Sequence, residues 1–213
     1  MKKIIFTTAL IIICISTFSQ KKNINIQQKK KVRNFISFYP SEFDKANGLL
    51  INYWLDESNT KLLNKNRNEL QINGIELGLN PVTFFAPFFS LIYAVPIITE
   101  NPISPTSQDI TKKINGLQLG FASLKESKIN GIEINVAGNF NSIVNGLSIT
   151  PIINKHYKVS GIDISILGNI DYKVNGIQIG LFNRATQLKG IQIGLWNKNE
   201  KRSLPFINWN FKN

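Results

Sequence analysis

The chain is poor in the residues from which most active sites are built. Its 213 residues include one cysteine, Cys14, and one histidine, His156. Cys14 sits inside an apolar N-terminal run, so the sequence beyond it has no disulfide, thiolate chemistry or zinc–cysteine site. One histidine cannot build a zinc site of the usual Cys/His kind. A lone histidine in a divergent repeat reads as a surface or turn residue. Arginine is also scarce, at positions 33, 67, 184 and 202, so most of the 25 basic residues are lysine. A nucleic-acid reader would show arginine interleaved with aromatics. The net charge of +12 is instead spread over scattered lysines. It reads first as a solvated surface and second as attraction toward anionic glycans or lipid head groups. No apolar run is a good transmembrane helix: Ile4 to Phe18 is short, and Pro87 and Pro96 interrupt Val82 to Ile98.

What is present is a repeat. Glycine recurs at 116, 131, 146, 161, 176 and 190, with spacings of 15, 15, 15, 15 and 14. A fixed period this short marks a repeat architecture. Each line opens with Asn-Gly, Ser-Gly or Lys-Gly and runs into an alternating segment such as Ile177-Gln178-Ile179-Gly180-Leu181. Period two means a strand with one buried face. On that reading the apolar residues one, three and five places after glycine are buried. Gln118, Glu133, Ser148, Asp163, Gln178 and Gln192 then form a wet face. The apolar residue two places before glycine (Ile129, Val144, Val159, Val174, Leu188) has the wrong parity for the same straight strand, which predicts a turn or bulge at the glycine.

The fold class is therefore all-β, a β-solenoid or β-roll of 15-residue repeats with capping strands. An antiparallel meander and a small outer-membrane β-barrel are the alternatives. Near-constant repeat length favours the solenoid, because stacking demands it and hairpins do not. So does the separation of Glu133 from Asp163 by Ser148. Lys158 and Lys173 would be neighbours, which counts against it. No single repeat buries enough to be stable alone. Degenerate repeats begin at Asn47-Gly48 and Asn73-Gly74. The gaps around them imply insertions at about 56–70 and 82–110 of a single domain spanning 35–213.

Met1-Lys2-Lys3, the apolar run and the small residues Thr17 and Ser19 read as a signal peptide over 1–19. A basic leader over 20–34 follows. The aromatic insertion carries Phe84, Phe85, Phe88, Phe89 and Tyr93, read either as a cap over the array or as a membrane or partner contact. Near the C-terminus Ile207, Trp209 and Phe211 alternate with asparagines. That is a capping strand or, in the barrel alternative, a closing one.

Chemistry is hard to find. Glu133 and Asp163 would lie about 9.6 Å apart in a solenoid, two strand spacings. Such a separation occurs in inverting glycosidases, yet repeat position alone accounts for both residues. No catalytic, cofactor-binding or metal-binding residue is assigned, and no cofactor or nucleic-acid partner is expected. The candidate binding face is Gln118, Gln178 and Gln192, with a cell-surface ligand or the outer membrane as partner.

Gly176-Ile-Gln-Ile-Gly-Leu-Phe-Asn183 and Gly190-Ile-Gln-Ile-Gly-Leu-Trp-Asn197 resemble the bacterial surface-repeat family described from leptospires and also seen in Bacteroidetes, whose unit reads Gly-Leu-Gln-Ile-Gly-Leu-x-Asn. Gly74 to Asn80 and Gly116 to Phe121 fit the unit. The units at 131, 146 and 161 depart from it at Asn135, Thr150-Pro151 and Ser165. The resemblance implies an exported protein at the cell surface, outer membrane or periplasm, with a structural or binding role. It brings no activity with it. Some members look like lipoproteins, but Ile12 and Ile13 precede Cys14 here, so the anchoring signal is missing.

Overall fold

The computed structural model describes residues 31–212, except 40, 42, 54–69, 80–83, 86, 89–101, 103–109, 111, 124–126 and 141–142. The signal peptide, most of the leader and most of both insertions lie outside the described residues. Where the leader was expected to run to 34, a strand begins at Val32, and Leu70 opens a strand rather than closing a loop.

The described residues form β1 (Val32–Tyr39), β2 (Lys45–Asn52), β3 (Leu70–Gly78), β4 (Lys112–Ser123), β5 (Ser127–Phe140), β6 (Ile143–Thr150), β7 (Ile153–Lys155), β8 (Lys158–Ser165), β9 (Gly168–Ile179), β10 (Phe182–Lys198) and β11 (Ser203–Asn210). Their order in the sheet is β1-β2-β3-β4-β5-β6-β8-β9-β10-β11, and β7 pairs with β5 and β9. Every pairing is parallel except β10 with β11, which is antiparallel. The chain is thus a β-solenoid of about eight turns. It is neither an antiparallel meander nor a barrel.

Register follows the glycine period. Gly48, Gly74, Gly116, Gly131, Gly146, Gly161, Gly176 and Gly190 stack one on the next. The long gaps before Gly74 and Gly116 leave register intact, because surface insertions add little closure cost. Phe35 stacks under Gly48, so β1 is a coil in which Asn-Phe replaces Asn-Gly. It carries one of two positive φ angles outside glycine among the described residues, 70°.

The strands do not turn at Asn-Gly, as the parity argument expected. They run through it, with glycine φ between 106° and 150°. Residues at even offsets from glycine therefore share the inner side. Ile129, two places before Gly131, is fully buried, and Glu133, two places after, is fully buried as well. The alternating aliphatics Ile132, Ile134 and Val136 point outward, at 38–49% exposure. Only glycine fits the stacked position: a Cβ on Gly131 would lie 2.0 Å from the Gly116 carbonyl oxygen.

The core changes character along the array. At the N-terminal end it is apolar, with Tyr39, Phe43, Ala46, Leu50, Ile72, Ile114, Ile129 and Val144 in one cluster. A small cluster of Val174, Ala185 and Leu188 lies toward the other end. A third apolar cluster, Ile152, Ile153 and Ile170, lies between them, and beside these clusters the interior is polar.

Candidate functional site

Two features stand out: a hydrogen-bonded polar interior and an apolar outer face. The interior is built by two walls. The first presents the residue two places after each glycine from Gly74 onward: Glu76, Gln118, Glu133, Ser148, Asp163, Gln178 and Gln192, all buried. The candidate binding face expected at Gln118, Gln178 and Gln192 is therefore inside the coil and meets no ligand at the surface. The buried aliphatic before Asn-Gly sets the parity, and the glutamines follow it inward.

The second wall carries an asparagine ladder. Asn154 donates to Asn169 at 3.0 Å, Asn169 to Asn183 at 2.7 Å, and Asn183 to Asn197 at 2.8 Å. Such ladders suit a parallel stack, because each amide is both donor and acceptor along the axis. A glutamine ladder joins the walls: Gln192 donates to Gln178 at 2.7 Å, and Gln178 to the Asp171 carboxylate at 2.7 Å. A second asparagine ladder runs along the residues preceding glycine, from Asn145 through Asn130, Asn115 and Asn73 to Asn47, in steps of 2.7–2.9 Å.

Among the described residues, ionisable side chains are buried at Glu133 and in two clusters. Lys112 and Glu76 form an ion pair at 3.0 Å. Farther along, His156, Asp163 and Asp171 converge, with a ligand-capable atom of each within 4.8 Å of the others. His156, expected at a surface or turn, is fully buried. Its Nε2 lies 3.1 Å from Ser148 Oγ and 3.5 Å from Asp163 Oδ1. Asp171 accepts the His156 backbone N–H at 2.8 Å, and Asp163 accepts from Asn154 at 2.5 Å. Burial pushes the Asp163 carboxyl up to about 7 and that of Glu133 to about 7. It also pushes Asp171 well above the usual range, helped by the neighbouring Asp163 charge. Glu133 and Asp163 are enclosed, so a polysaccharide cannot pass between them as a glycosidase pair requires.

The outer face is the inverse. The residues one and three places after glycine form two aliphatic columns, and those five places after form a third apolar column that includes Phe121 and Pro151. Seven rows from β3 to β10, about 4.8 Å apart, span roughly 30 Å by 13 Å, or about 400 Å² before side-chain relief. A patch of that size is within the range of the largest apolar patch on an ordinary monomer, which is often functional. Phe84, Phe85 and Phe88 are exposed. Phe84 packs edge-on against Phe121, the outward residue of β4, at 5.1 Å, and against Phe85 at 5.5 Å. The aromatic insertion thus joins the outer face at its margin. Phe89 and Tyr93 lie outside the described residues. On β11, Phe206, Ile207 and Trp209 are exposed and Asn208 and Asn210 are buried, the same inversion.

Beside the apolar columns runs a basic one. Three places before glycine, Lys45, Gln71, Lys113, Lys128, Ile143, Lys158, Lys173 and Gln187 stack in register. No known protein family, curated protein or solved structure matches the chain.

Proposed function

We propose that the chain is an exported, non-catalytic repeat protein of the bacterial surface or outer membrane, which works by laying the outer face of its solenoid on an anionic lipid layer. One observation carries this reading: three outward apolar columns, two of them wholly aliphatic, flanked by an in-register column in which five of eight residues are lysine. Aliphatic rows seat among acyl chains, while a lysine near an anionic surface contributes about 1 kcal/mol each. The exposed phenylalanines at the margin of the face extend the same contact. Export and surface location rest on the N-terminal run and on the resemblance of the repeat unit. The polar interior suits this role, since a coil whose backbone and core amides bond to one another can turn its apolar side chains outward.

Vesicle flotation tests it. The chain should float with phosphatidylcholine vesicles containing phosphatidylglycerol, and less with phosphatidylcholine alone. Replacing Ile134, Ile179 and Ile193 by serine should lower the bound fraction at least several-fold while circular dichroism stays unchanged. Failure of the folded wild type to float would overturn the reading. So would stable dimers without vesicles that the triple variant abolishes, since a second copy would then own the face.

A further inference from the structure

The cluster of His156, Asp163 and Asp171 has features that a fold scaffold does not need. In the coils that follow, the interior is filled largely by neutral amides that bond along the axis, while the coil before it carries the buried Glu133. Here two carboxylates and an imidazole replace them within one stretch of core, all three fully buried. A pair of buried carboxylates is costly unless each oxygen finds a partner or a counter-charge. Asp163 Oδ2 has no hydrogen-bond partner, although Oδ1 accepts from Asn154. A carboxylate oxygen of each aspartate and a ring nitrogen of the imidazole lie within 4.8 Å of one another.

We propose that this cluster is a divalent metal site, with His156 Nε2 and one carboxylate oxygen from each of Asp163 and Asp171 as protein ligands. Donors about 2.0–2.1 Å from a tetrahedral zinc lie about 3.4 Å from one another. The Nε2 to Asp163 Oδ1 separation of 3.5 Å matches that edge, and the 4.8 Å span of the cluster must close by about 1.4 Å, roughly 0.7 Å at each of two side chains, to reach it. Two carboxylates balance a divalent charge, so the occupied site is neutral as a unit. The imidazole favours a first-row transition ion such as zinc over calcium or magnesium.

The surrounding contacts already orient the ligands. Asp171 is held by the His156 backbone N–H at one oxygen and by Gln178 at the other, each leaving a lone pair for the ion. Ser148, which approaches Nε2 at 3.1 Å, also reaches Asn154 Oδ1 at 3.3 Å and can turn its hydroxyl there when the ion takes the ring nitrogen. The enclosure requires that the ion enter as the coil forms, so metal uptake is coupled to folding.

The experiment follows from that coupling. The chain is unfolded in denaturant, then refolded either with a chelator or with one equivalent of Zn2+. After gel filtration, metal content is measured by elemental analysis and Tm by calorimetry. A parallel refolding with Co2+ reports geometry through its visible d–d bands. The expected result is one zinc per chain, a Tm several degrees above the chelator sample, and tetrahedral cobalt bands. Asp163→Asn and His156→Gln, which keep volume and hydrogen-bonding capacity, should fold yet lose the metal, the bands and the Tm increment. Wild type refolded with zinc that carries less than about a fifth of an equivalent overturns the proposal, because the carboxyl pair then shares a proton instead. Retention of full zinc by both variants overturns it too, by placing the metal elsewhere.

Discussion

At Gly131 a single methyl group would break the stack. The added Cβ would meet the Gly116 carbonyl oxygen at 2.0 Å, backbone against backbone, and the φ of 144° disfavours any side chain. Gly131→Ala should therefore lower stability by about 3 kcal/mol or more, read as a drop in the urea midpoint. Phe35 is the natural contrast. It occupies the glycine column at φ 70°, but at the edge coil, with 86% of its surface exposed. Phe35→Gly should raise the midpoint by up to about 1 kcal/mol equivalent, because strain is relieved and little packing is lost. Glu133 supplies a pH signature. Burial raises its carboxyl from 4.5 to about 7 in the folded chain. Its protonated form is thus the one the fold prefers. That contribution is fully present below about pH 4.5 and lost as pH rises through 7, worth roughly 3 kcal/mol. Denaturation midpoints measured with chelator from pH 4 to 8 should fall over this window, and Glu133→Gln should flatten the fall. A midpoint that rises over the same range would contradict the burial assignment.

At the scale of one coil, some features were legible and others were not. The 15-residue glycine period specifies the parallel register, because stacked coils must have equal length, and Gly116 over Gly131 over Gly146 is what the structure has. Alternation after glycine correctly indicates a strand. Which face is buried was misread, because three aliphatics outvote one when hydrophobicity alone is counted. Ile129 and its equivalents decide the matter: the strand continues through Asn-Gly, and the same parity carries Glu133 and Gln178 inward. The compensating signal was present in the asparagines at 139, 154, 169, 183 and 197, spaced 15, 15, 14 and 14. They are the amides that make a polar interior tolerable. His156 and Asp171 fall two places after Asn154 and Asn169, so the same period would have placed them side by side on one inner wall. The C-terminal element was legible as a cap, since Asn208 accepts the role of the next ladder rung by donating to Gln192 at 3.1 Å. Arg202 braces it, stacked 4.5 Å from the Trp209 ring centroid. Ending the chain at Arg202 should leave Gln192 and the Gly190 coil paired on the β9 side alone. The expected outcome is early loss of hydrogen-exchange protection in β10, with β4 and β5 still protected, as nearest-neighbour coupling in a repeat array predicts.

On the scale of the whole molecule, the inversion of polarity and the position of charge belong together. An array whose outer columns are aliphatic and whose core is amide would self-associate in water unless something covers it. The lysine column at the rim both opposes that self-association and selects a negative surface. Two terms of different range then hold the chain on a lipid layer. The lysine term is screened beyond about 8 Å at physiological salt, whereas the aliphatic term is indifferent or strengthened. Raising salt from about 0.05 M to 1 M should reduce the fraction bound to anionic vesicles without abolishing it. Lys128→Gln, Lys158→Gln and Lys173→Gln together should bring low-salt binding down to the high-salt level and remove most of its salt dependence. The Ile134, Ile179 and Ile193 serine variant should do the reverse, leaving weak binding that vanishes at 1 M salt. Complete release of the wild type by salt would mean that the aliphatic columns stay out of the lipid and that the contact is purely electrostatic. The apolar face would then need another cover.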